Sequence, residues 1–167
     1  MPLRPATRAD VPAILEIYNE AVLHTTASYD LEPVSLASRL AWFDAKGLRG
    51  QPVFVWDEGG AVLGWSAYGQ FREKAGYDHT AEHSVYVSPA AQGRGLGRAL
   101  LVAVIGHARA AGLHVLVGGL DADNAASLGL HASLGFERVA HFRQVGRKFG
   151  RWLDLVFMEL RLDQGER

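Results

Sequence analysis

The fold prediction starts from residues 82–108, which read EHSVYVSPAAQGRGLGRALLVAVIGHA. Residues 82–87 are rich in β-branched and aromatic side chains and stop at Ser88-Pro89, as a β-strand does. Residues 92–97 contain three glycines and lead directly into a helical pattern. One face of that helix is predicted to carry Leu96, Ala99, Leu100, Ala103 and His107. A strand, a glycine loop and a helix in this order predict an α/β fold.

The chain on both sides of this stretch predicts further strands and helices. The order is β, α, α, β, β, β, α, β, α, β, β, which indicates a mixed central sheet flanked by helices. We expect parallel pairing where a helix connects two strands. The predicted elements are a strand near Leu3; helices at 9–24 and from Ser35 to Gly47, the second with Leu36, Leu40 and Phe43 on its apolar face; strands at 53–56, 61–68 and 82–87; a helix from Leu96 to Gly112; a strand at 115–118; a helix from Asn124 to Gly135; and strands at 138–145 and 152–160.

Length and composition are those of one packed domain. The chain has 167 residues, 49% hydrophobic and 21% charged, so we expect a single domain over residues 1–167. Its formal charge of -1 does not indicate binding to nucleic acid or to an anionic membrane. The N-terminal residues lack the apolar core of a secretory signal, and the longest apolar run, residues 100–105, is too short to span a membrane. We therefore expect a cytoplasmic protein.

The chain contains no cysteine. This excludes disulfides, thiolate zinc sites, iron–sulfur clusters and an acyl-cysteine intermediate. Any acyl transfer must therefore be direct or use another nucleophile.

The glycine loop at residues 92–97 is typical of an anion site. Its glycines allow backbone amides to converge at a helix N-terminus, where the helix dipole favours a phosphate. It does not match the dinucleotide pattern GxGxxG, because Arg98 follows Gly97, and it lacks the Gly-Lys-Ser/Thr of a P-loop. From these residues alone, a glycine-rich turn without a ligand remains an alternative.

Two motifs together resemble a known superfamily. Gln92, Gly95 and Gly97 after the strand resemble the acetyl-CoA pyrophosphate loop of the GNAT N-acetyltransferases. Residues 124–136, NAASLGLHASLGF, are similar to the second signature of that superfamily. The closer similarity is to the phosphinothricin and methionine sulfoximine acetyltransferases, and it is carried by residues 18–22, 25–29, 82–87 and 148–152.

The resemblance implies acetyl-CoA as co-substrate, no metal, and a homodimer by analogy. Backbone groups of Val85, Tyr86 and Val87 would hold the pantetheine arm as an added strand. Amides of the glycine loop would hold the pyrophosphate, with Asn124 and Ser133 completing the site. The expected cofactor residues in and next to the loop are Gln92, Gly93, Arg94, Gly95, Leu96, Gly97 and Arg98.

The resemblance also implies two catalytic candidates, Glu82 and His131. Attack by an amine on a thioester requires the amine to lose a proton, and the resemblance gives this general-base role to Glu82, directly or through water. Strand alternation places Glu82 on one face with Ser84 and Tyr86, while His83 points the other way. His131 is either the acid for the departing thiolate or a histidine packed on the sheet.

The acceptor is expected to be a small amino acid or analogue bound near the loop at residues 69–78. Arg72 suits a bidentate grip on a carboxylate or phosphinate, and Lys74 adds charge, although a solvated charged loop is the alternative. Tyr29, Lys148 and Phe149 are further candidates for the cleft wall on resemblance alone. The substrate candidates are Arg72, Lys74, Glu82, His83, Ser84, Tyr29 and Phe149.

Three rival interpretations remain to be compared. Residues 79–83, HTAEH, match the HxxEH pattern of zinc hydrolases, but that pattern needs a helix and these residues predict a strand. Residues 64–68 lack the second glycine of the Gly-x-Ser-x-Gly nucleophile elbow, which argues against a serine hydrolase. A non-catalytic acetyl-CoA sensor would keep the glycine loop without needing Glu82.

Overall fold

The computed structural model describes residues 1–162 and contains one seven-stranded sheet with the order β1-β2-β3-β4-β5-β7-β6. None of the helices in this described part of the chain is both long and apolar enough to cross a membrane. The elements are β1 (Leu3–Pro5), α1 (Val11–His24), α2 (Leu36–Leu48), β2 (Val53–Glu58), β3 (Ala61–Gln70), β4 (Thr80–Val87), α3 (Leu96–Ala110), β5 (Val115–Asp121), α4 (Ala125–Ser133), β6 (Glu137–Lys148) and β7 (Arg151–Arg161).

The element order is confirmed, but the prediction of parallel pairing holds at one place. β4 and β5, joined through α3, pair in parallel. β1 and β2 pair antiparallel although helices lie between them, because two helices in succession cross the sheet twice and return the chain to the end where β1 finished. β7 inserts between β5 and β6, so these two strands do not pair despite the helix α4 between them.

Hydrophobic clusters cover both faces of the sheet. On one face, Ile14 and Ile17 of α1 pack with Trp65 and Val55 of the sheet. On the other face, α3 packs on the centre of the sheet with Leu101, Val104 and other apolar side chains. The predicted face of α3 is shifted: Ala103 and His107 are half-buried, while the buried side chains are Leu96, Leu100, Leu101, Val104, Ile105 and Ala108.

The predicted apolar face of α2 is confirmed for Phe43, which packs against the cluster that contains Ile14 and Trp65, and is wrong for Leu36. Leu36 is exposed and Leu40 and Phe43 are half-buried, whereas the two buried side chains of the helix are Arg39 and Lys46. Ser35 caps the helix as predicted, its Oγ accepting the Ser38 N–H at 3.1 Å. The cations of the helix, and not its leucines, face aromatic side chains: Arg39 lies over the rings of Tyr18 and Trp65, and it lines one cavity with Lys46.

Candidate active site

The parallel pair β4/β5 separates in its middle. The register runs from Thr80/Val115 to Glu82/Val117 and then stops, although β4 continues to Val87 and β5 to Asp121. β4 stays paired with β3 on its other side through Val87. The backbone groups of residues 83–87 that point away from β3 therefore face an opening between diverging strands. Such an opening suits a ligand arm that pairs with β4 as an extra strand.

The glycine loop leads from the end of this opening to the N-terminus of α3. Gly93 and Gly95 have φ of +79° and +84°, a left-handed conformation that glycine adopts without strain. Gly95 is the N-cap of the 15-residue helix, and a side-chain β-carbon at either glycine would meet no atom within 4 Å. The first-turn amides of α3 therefore face open space, as an anion site requires.

Side chains around the loop are tied to one another. Gln92 Nε2 donates to the Val87 carbonyl at 3.5 Å, and Arg94 pairs with Glu58 of the β2–β3 hairpin at 2.7 Å. Arg98 Nη1 donates to Ser133 Oγ at 2.9 Å, which brings these two predicted cofactor residues together. Leu96 lies in the core, so only its backbone can face a ligand.

Asn124 lies between the C-terminal end of β5 and α4. Its Oδ1 accepts the Ser127 N–H at 3.1 Å and caps the helix, as predicted. The cap holds the amide side chain at the end of the strand that diverges from β4.

Glu82 lies where the β4/β5 pairing ends. It is half-buried, and burial raises the pKa of its carboxyl group while the positive charge of Arg72 partly lowers it. Its partner in β3 is Gly69, where a β-carbon would lie 3.1 Å from Lys46 Nζ, so the missing side chain makes room for that lysine. Ser84 and Tyr86, on the same face by strand alternation, line a cavity under α2. Glu82 is therefore a partly desolvated carboxylate at the strand opening.

His83 lies on the opposite face of the sheet from Glu82 and contacts His131. Both rings are buried, with 6% and 5% of their surface exposed, and their Nε2 atoms are 2.8 Å apart. Gly118 of β5 makes room for the pair, because a β-carbon there would lie 2.8 Å from His83 Cε1. The structure therefore separates His83 from the other substrate candidates on β4.

The hydrogen bonds of His131 fix where its proton lies. Its Nδ1 is 2.7 Å from the Ser127 carbonyl, which can only accept, so Nδ1 carries the proton. The Nε2 atom of the neutral ring is then an acceptor for His83 Nε2–H. Burial lowers the pKa of both imidazoles, which favours this neutral pair.

The remaining substrate candidates lie in the loop after β3 and next to the β6–β7 hairpin. Arg72 is exposed and its guanidinium lies 5.3 Å from the Phe71 ring, in a cavity that extends to α2. Lys74 is exposed at the start of a short 3-10 turn. Tyr29 donates its hydroxyl proton to the Asp154 carbonyl at 2.7 Å, which ties the segment after α1 to β7. Phe149 is exposed at the β6–β7 turn, next to the buried Lys148.

Sequence reasoning missed two residues near this site, Arg39 and Lys46. They line the cavity that Ser84 and Tyr86 also border. Charged residues on an amphipathic helix ordinarily predict a solvated face. Their helical spacing, with Trp42 between them on the same helix face, is the sequence feature that could have identified them.

The segment containing His79 and His83 forms a strand and not a helix, as predicted, although the strand begins at Thr80, two residues before the predicted start at Glu82. In residues 1–162, no three histidine, aspartate or glutamate side chains are grouped closely enough to hold a metal ion.

The comparisons with known proteins point in the same direction as this geometry. Residues 12–136 match the sequence profile of the Acetyltransferase (GNAT) family. An L-methionine sulfoximine/L-methionine sulfone acetyltransferase from Salmonella typhimurium is 53% identical over 98% of this chain and 96% of its own length. A phosphinothricin N-acetyltransferase from Alcaligenes faecalis is 37% identical over 94% of this chain and 80% of its own length.

A solved structure is similar over nearly the whole chain. The structure of an acetyltransferase from Salmonella typhimurium with its cofactor acetyl-CoA superposes with a TM-score of 0.95. It is 52% identical in sequence and covers 99% of this chain and 95% of its own.

Proposed function

Because the chain belongs to the GNAT acetyltransferase family and has its fold, we propose that it acetylates the α-amine of a small amino acid with acetyl-CoA. The acceptor is of the methionine sulfoximine, methionine sulfone or phosphinothricin type, as the names of its relatives indicate for those proteins. The observation that carries the proposal is the opening between β4 and β5, which leads from Glu82 to the N-terminus of α3.

The residues present fit acetyl-CoA. Free backbone groups along Val85–Val87 suit the amide-rich pantetheine arm, and the open N-terminus of α3 suits the pyrophosphate. Arg98, held by Ser133, adds positive charge at the start of the helix. When bound, acetyl-CoA supplies the acetyl thioester. The protein would hold the thioester at the end of the β4/β5 pairing, beside Glu82.

Glu82 acts as the general base for the ammonium group of the acceptor. Burial raises the pKa of the Glu82 carboxyl group, so the carboxylate is a stronger base than that of an exposed glutamate. It would take one proton of the ammonium group, directly or through one water. The neutral amine would then attack the thioester carbon without a covalent enzyme intermediate, so that the C–N bond forms as the C–S bond breaks, and CoA would leave as a thiolate that takes up the second proton of the amine.

His131 is proposed as a positioning residue and not as the acid for the thiolate. In the neutral pair, its only proton is committed to the Ser127 carbonyl, and its Nε2 accepts from His83. The two rings instead pack with Phe136 beneath the end of β4.

Arg72 is proposed to bind the acceptor carboxylate. Its guanidinium lies near enough to lower the pKa of Glu82, so an amino acid bound to Arg72 would present its amine near that carboxylate. Lys74, Ser84, Tyr29 and Phe149 would border the same cleft. We further propose a single domain over residues 1–167 that acts in the cytoplasm as a homodimer.

The decisive experiment combines a substrate panel with Glu82→Gln. Amino acids and their oxidised analogues are scored by release of free CoA, with acetyl-CoA binding measured separately by calorimetry. We expect Glu82→Gln to keep acetyl-CoA affinity and to lower kcat/KM by roughly 10²-fold or more at neutral pH. An unchanged rate across the pH range would remove Glu82 from the mechanism. An inactive parent protein that binds acetyl-CoA would favour a sensor.

A further inference from the structure

The buried face of α2 carries two cations without a direct ion-pair partner among the described residues, although the negative charge of Asp30 acts on Arg39 from a longer distance. Arg39 and Lys46 have 7% and 9% of their surface exposed, and neither forms an ion pair with another residue in the range 1–162. Lys46 Nζ donates to the Tyr68 carbonyl at 2.8 Å. The Arg39 guanidinium lies 4.4 Å from the Tyr18 ring centre and 4.6 Å from that of Trp42. Burying positive charge without a directly paired carboxylate is unfavourable, so a functional reason for these residues is expected.

Both cations border one cavity of about 300 Å³ between α2 and the sheet. Its walls include Trp65 and Tyr86, which stack with ring centres 5.1 Å apart. Within the described part of the chain, Arg39 Nε and Trp65 Nε1 are buried donors with no hydrogen-bond partner. Burial also lowers the pKa of Lys46 to about 8, with the charge of Arg39 as a second cause. The cavity thus offers N–H donors and positive charge inside an aromatic wall, and it suits a ligand that carries oxygen acceptors.

The cavity lies at the distance from Glu82 that an amino-acid side chain can span. It shares Trp42 and Lys46 with the neighbouring cavity that contains Arg72. Glu82 pairs with Gly69 between the two, and Ser84, two strand positions further, already borders the first cavity. Two strand positions correspond to roughly 7 Å. A carboxylate at Arg72 and an amine at Glu82 would therefore direct a side chain of three or four atoms toward Arg39.

We propose that Arg39, Lys46 and Trp65 bind the oxygen atoms on the sulfur or phosphorus atom at the end of the acceptor side chain. This inference rests on the function proposed above and adds the residues that select the substrate. Sulfone, sulfoximine and phosphinate groups share a tetrahedral atom with acceptor oxygens, whereas the thioether of methionine has none. A site with buried donors discriminates strongly against a ligand that leaves those donors unpaired.

The test compares L-methionine sulfone with L-methionine in the wild type and in Arg39→Gln and Arg39→Lys. We expect Arg39→Gln to lower kcat/KM for the sulfone at least tenfold and to change kcat/KM for methionine less than threefold. Arg39→Lys, which keeps the charge but not the planar fork, should lose less. The KM for acetyl-CoA should stay constant. Arg8→Gln is the matched control, because Arg8 is an exposed arginine that pairs with Asp44 of the same helix α2 at 3.2 Å.

Each outcome has one meaning. An equal loss with both amino acids, or no loss with either, overturns the role of Arg39 in selection. A wild type that acetylates neither amino acid overturns the proposed function itself, and the pocket assignment with it. If Arg39→Gln does not fold, the same ratio is measured in Lys46→Gln, for which an unchanged preference for the sulfone would likewise overturn the assignment.

Discussion

Burial and the charge of Arg72 act in opposite directions on the ionisation of Glu82, the proposed general base. Burial raises the pKa of Glu82, and the guanidinium of Arg72 lowers it. If Arg72 also binds the acceptor carboxylate, this arginine both binds the substrate and favours the ionised form of Glu82. These two effects can be separated, because the first depends on a substrate carboxylate and the second does not.

Arg72→Met tests both effects at once. Losing a charged hydrogen bond should weaken amino-acid binding by about 1.5 to 3 kcal/mol while acetyl-CoA binding stays constant. Losing the positive charge should raise the pKa of Glu82 further. Because the base must be deprotonated, the acidic limb of kcat/KM should move to higher pH in the variant. The pH profile is measured with methionine sulfone for both proteins, so the ionisation of the substrate amine is common to both.

The amide of methionine sulfone is the control for the anchor. It lacks the carboxylate, so it should be a poor substrate of the wild type and lose little more in Arg72→Met. If the variant penalises the amide as much as the acid, Arg72 is not the carboxylate anchor. If the acidic limb of the kcat/KM profile stays at the same pH in Arg72→Met, the charge of Arg72 does not influence the ionisation of Glu82.

The ends of helices could be predicted from the sequence, whereas the pairing of strands that lie far apart in the chain could not. Ser35, Asn124 and Gly112 mark helix ends because caps and left-handed glycines act over a few residues. The insertion of β7 between β5 and β6 involves strands far apart in the chain and has no local signal. The burial of Arg39 likewise depends on aromatic residues supplied by other elements.

The same distinction applies to the site. The glycine loop was predictable because φ and helix start are local properties. The strand alternation that separates Glu82 from His83 was also predictable. The partner of His83 was not, because His131 and the space left by Gly118 come from other elements.

The two ends of α3 offer a matched pair of glycines. Gly95 at the start and Gly112 just after the end have φ of +84° and +78°, and neither would place a β-carbon within 4 Å of another atom. Alanine at either position should cost about 1 to 2 kcal/mol of unfolding free energy, because the left-handed conformation strains it. Gly95→Ala should in addition raise the KM for acetyl-CoA several-fold, since its methyl group lies in the space in front of the helix amides.

Gly112→Ala serves as the control for strain alone. Chemical denaturation should show similar losses in the two variants, and steady-state kinetics should show a raised KM for acetyl-CoA in Gly95→Ala only. Equal KM values in both variants would show that the N-terminus of α3 does not bind the pyrophosphate.

At the scale of the whole molecule, five of the exposed large apolar side chains in residues 1–162 lie on one hairpin at the edge of the sheet. β6 is an edge strand, and the β6–β7 hairpin exposes Val139, Phe142, Val145, Phe149 and Trp152, each between 45% and 59%. A group of exposed apolar side chains of this kind is typical of a protein interface. The hairpin is also tied to the substrate side, because Lys148 Nζ donates to the Ser28 carbonyl at 2.7 Å and Tyr29 to that of Asp154 at 2.7 Å.

We therefore predict that Val145→Glu dissociates the proposed homodimer and impairs amine binding. In sedimentation velocity, the wild type should have twice the 18.1 kDa mass of one chain, and the variant the mass of one. Val102→Glu places the same charge at an exposed valine of α3, 48% exposed, and should remain dimeric. Because the hairpin supports Tyr29 and Ser28 and not the glycine loop, dissociation should raise the KM for the amine and leave that for acetyl-CoA nearly unchanged. A monomeric wild type at micromolar concentration, or a Val145→Glu protein that stays dimeric, would show that this edge of the sheet is not the interface.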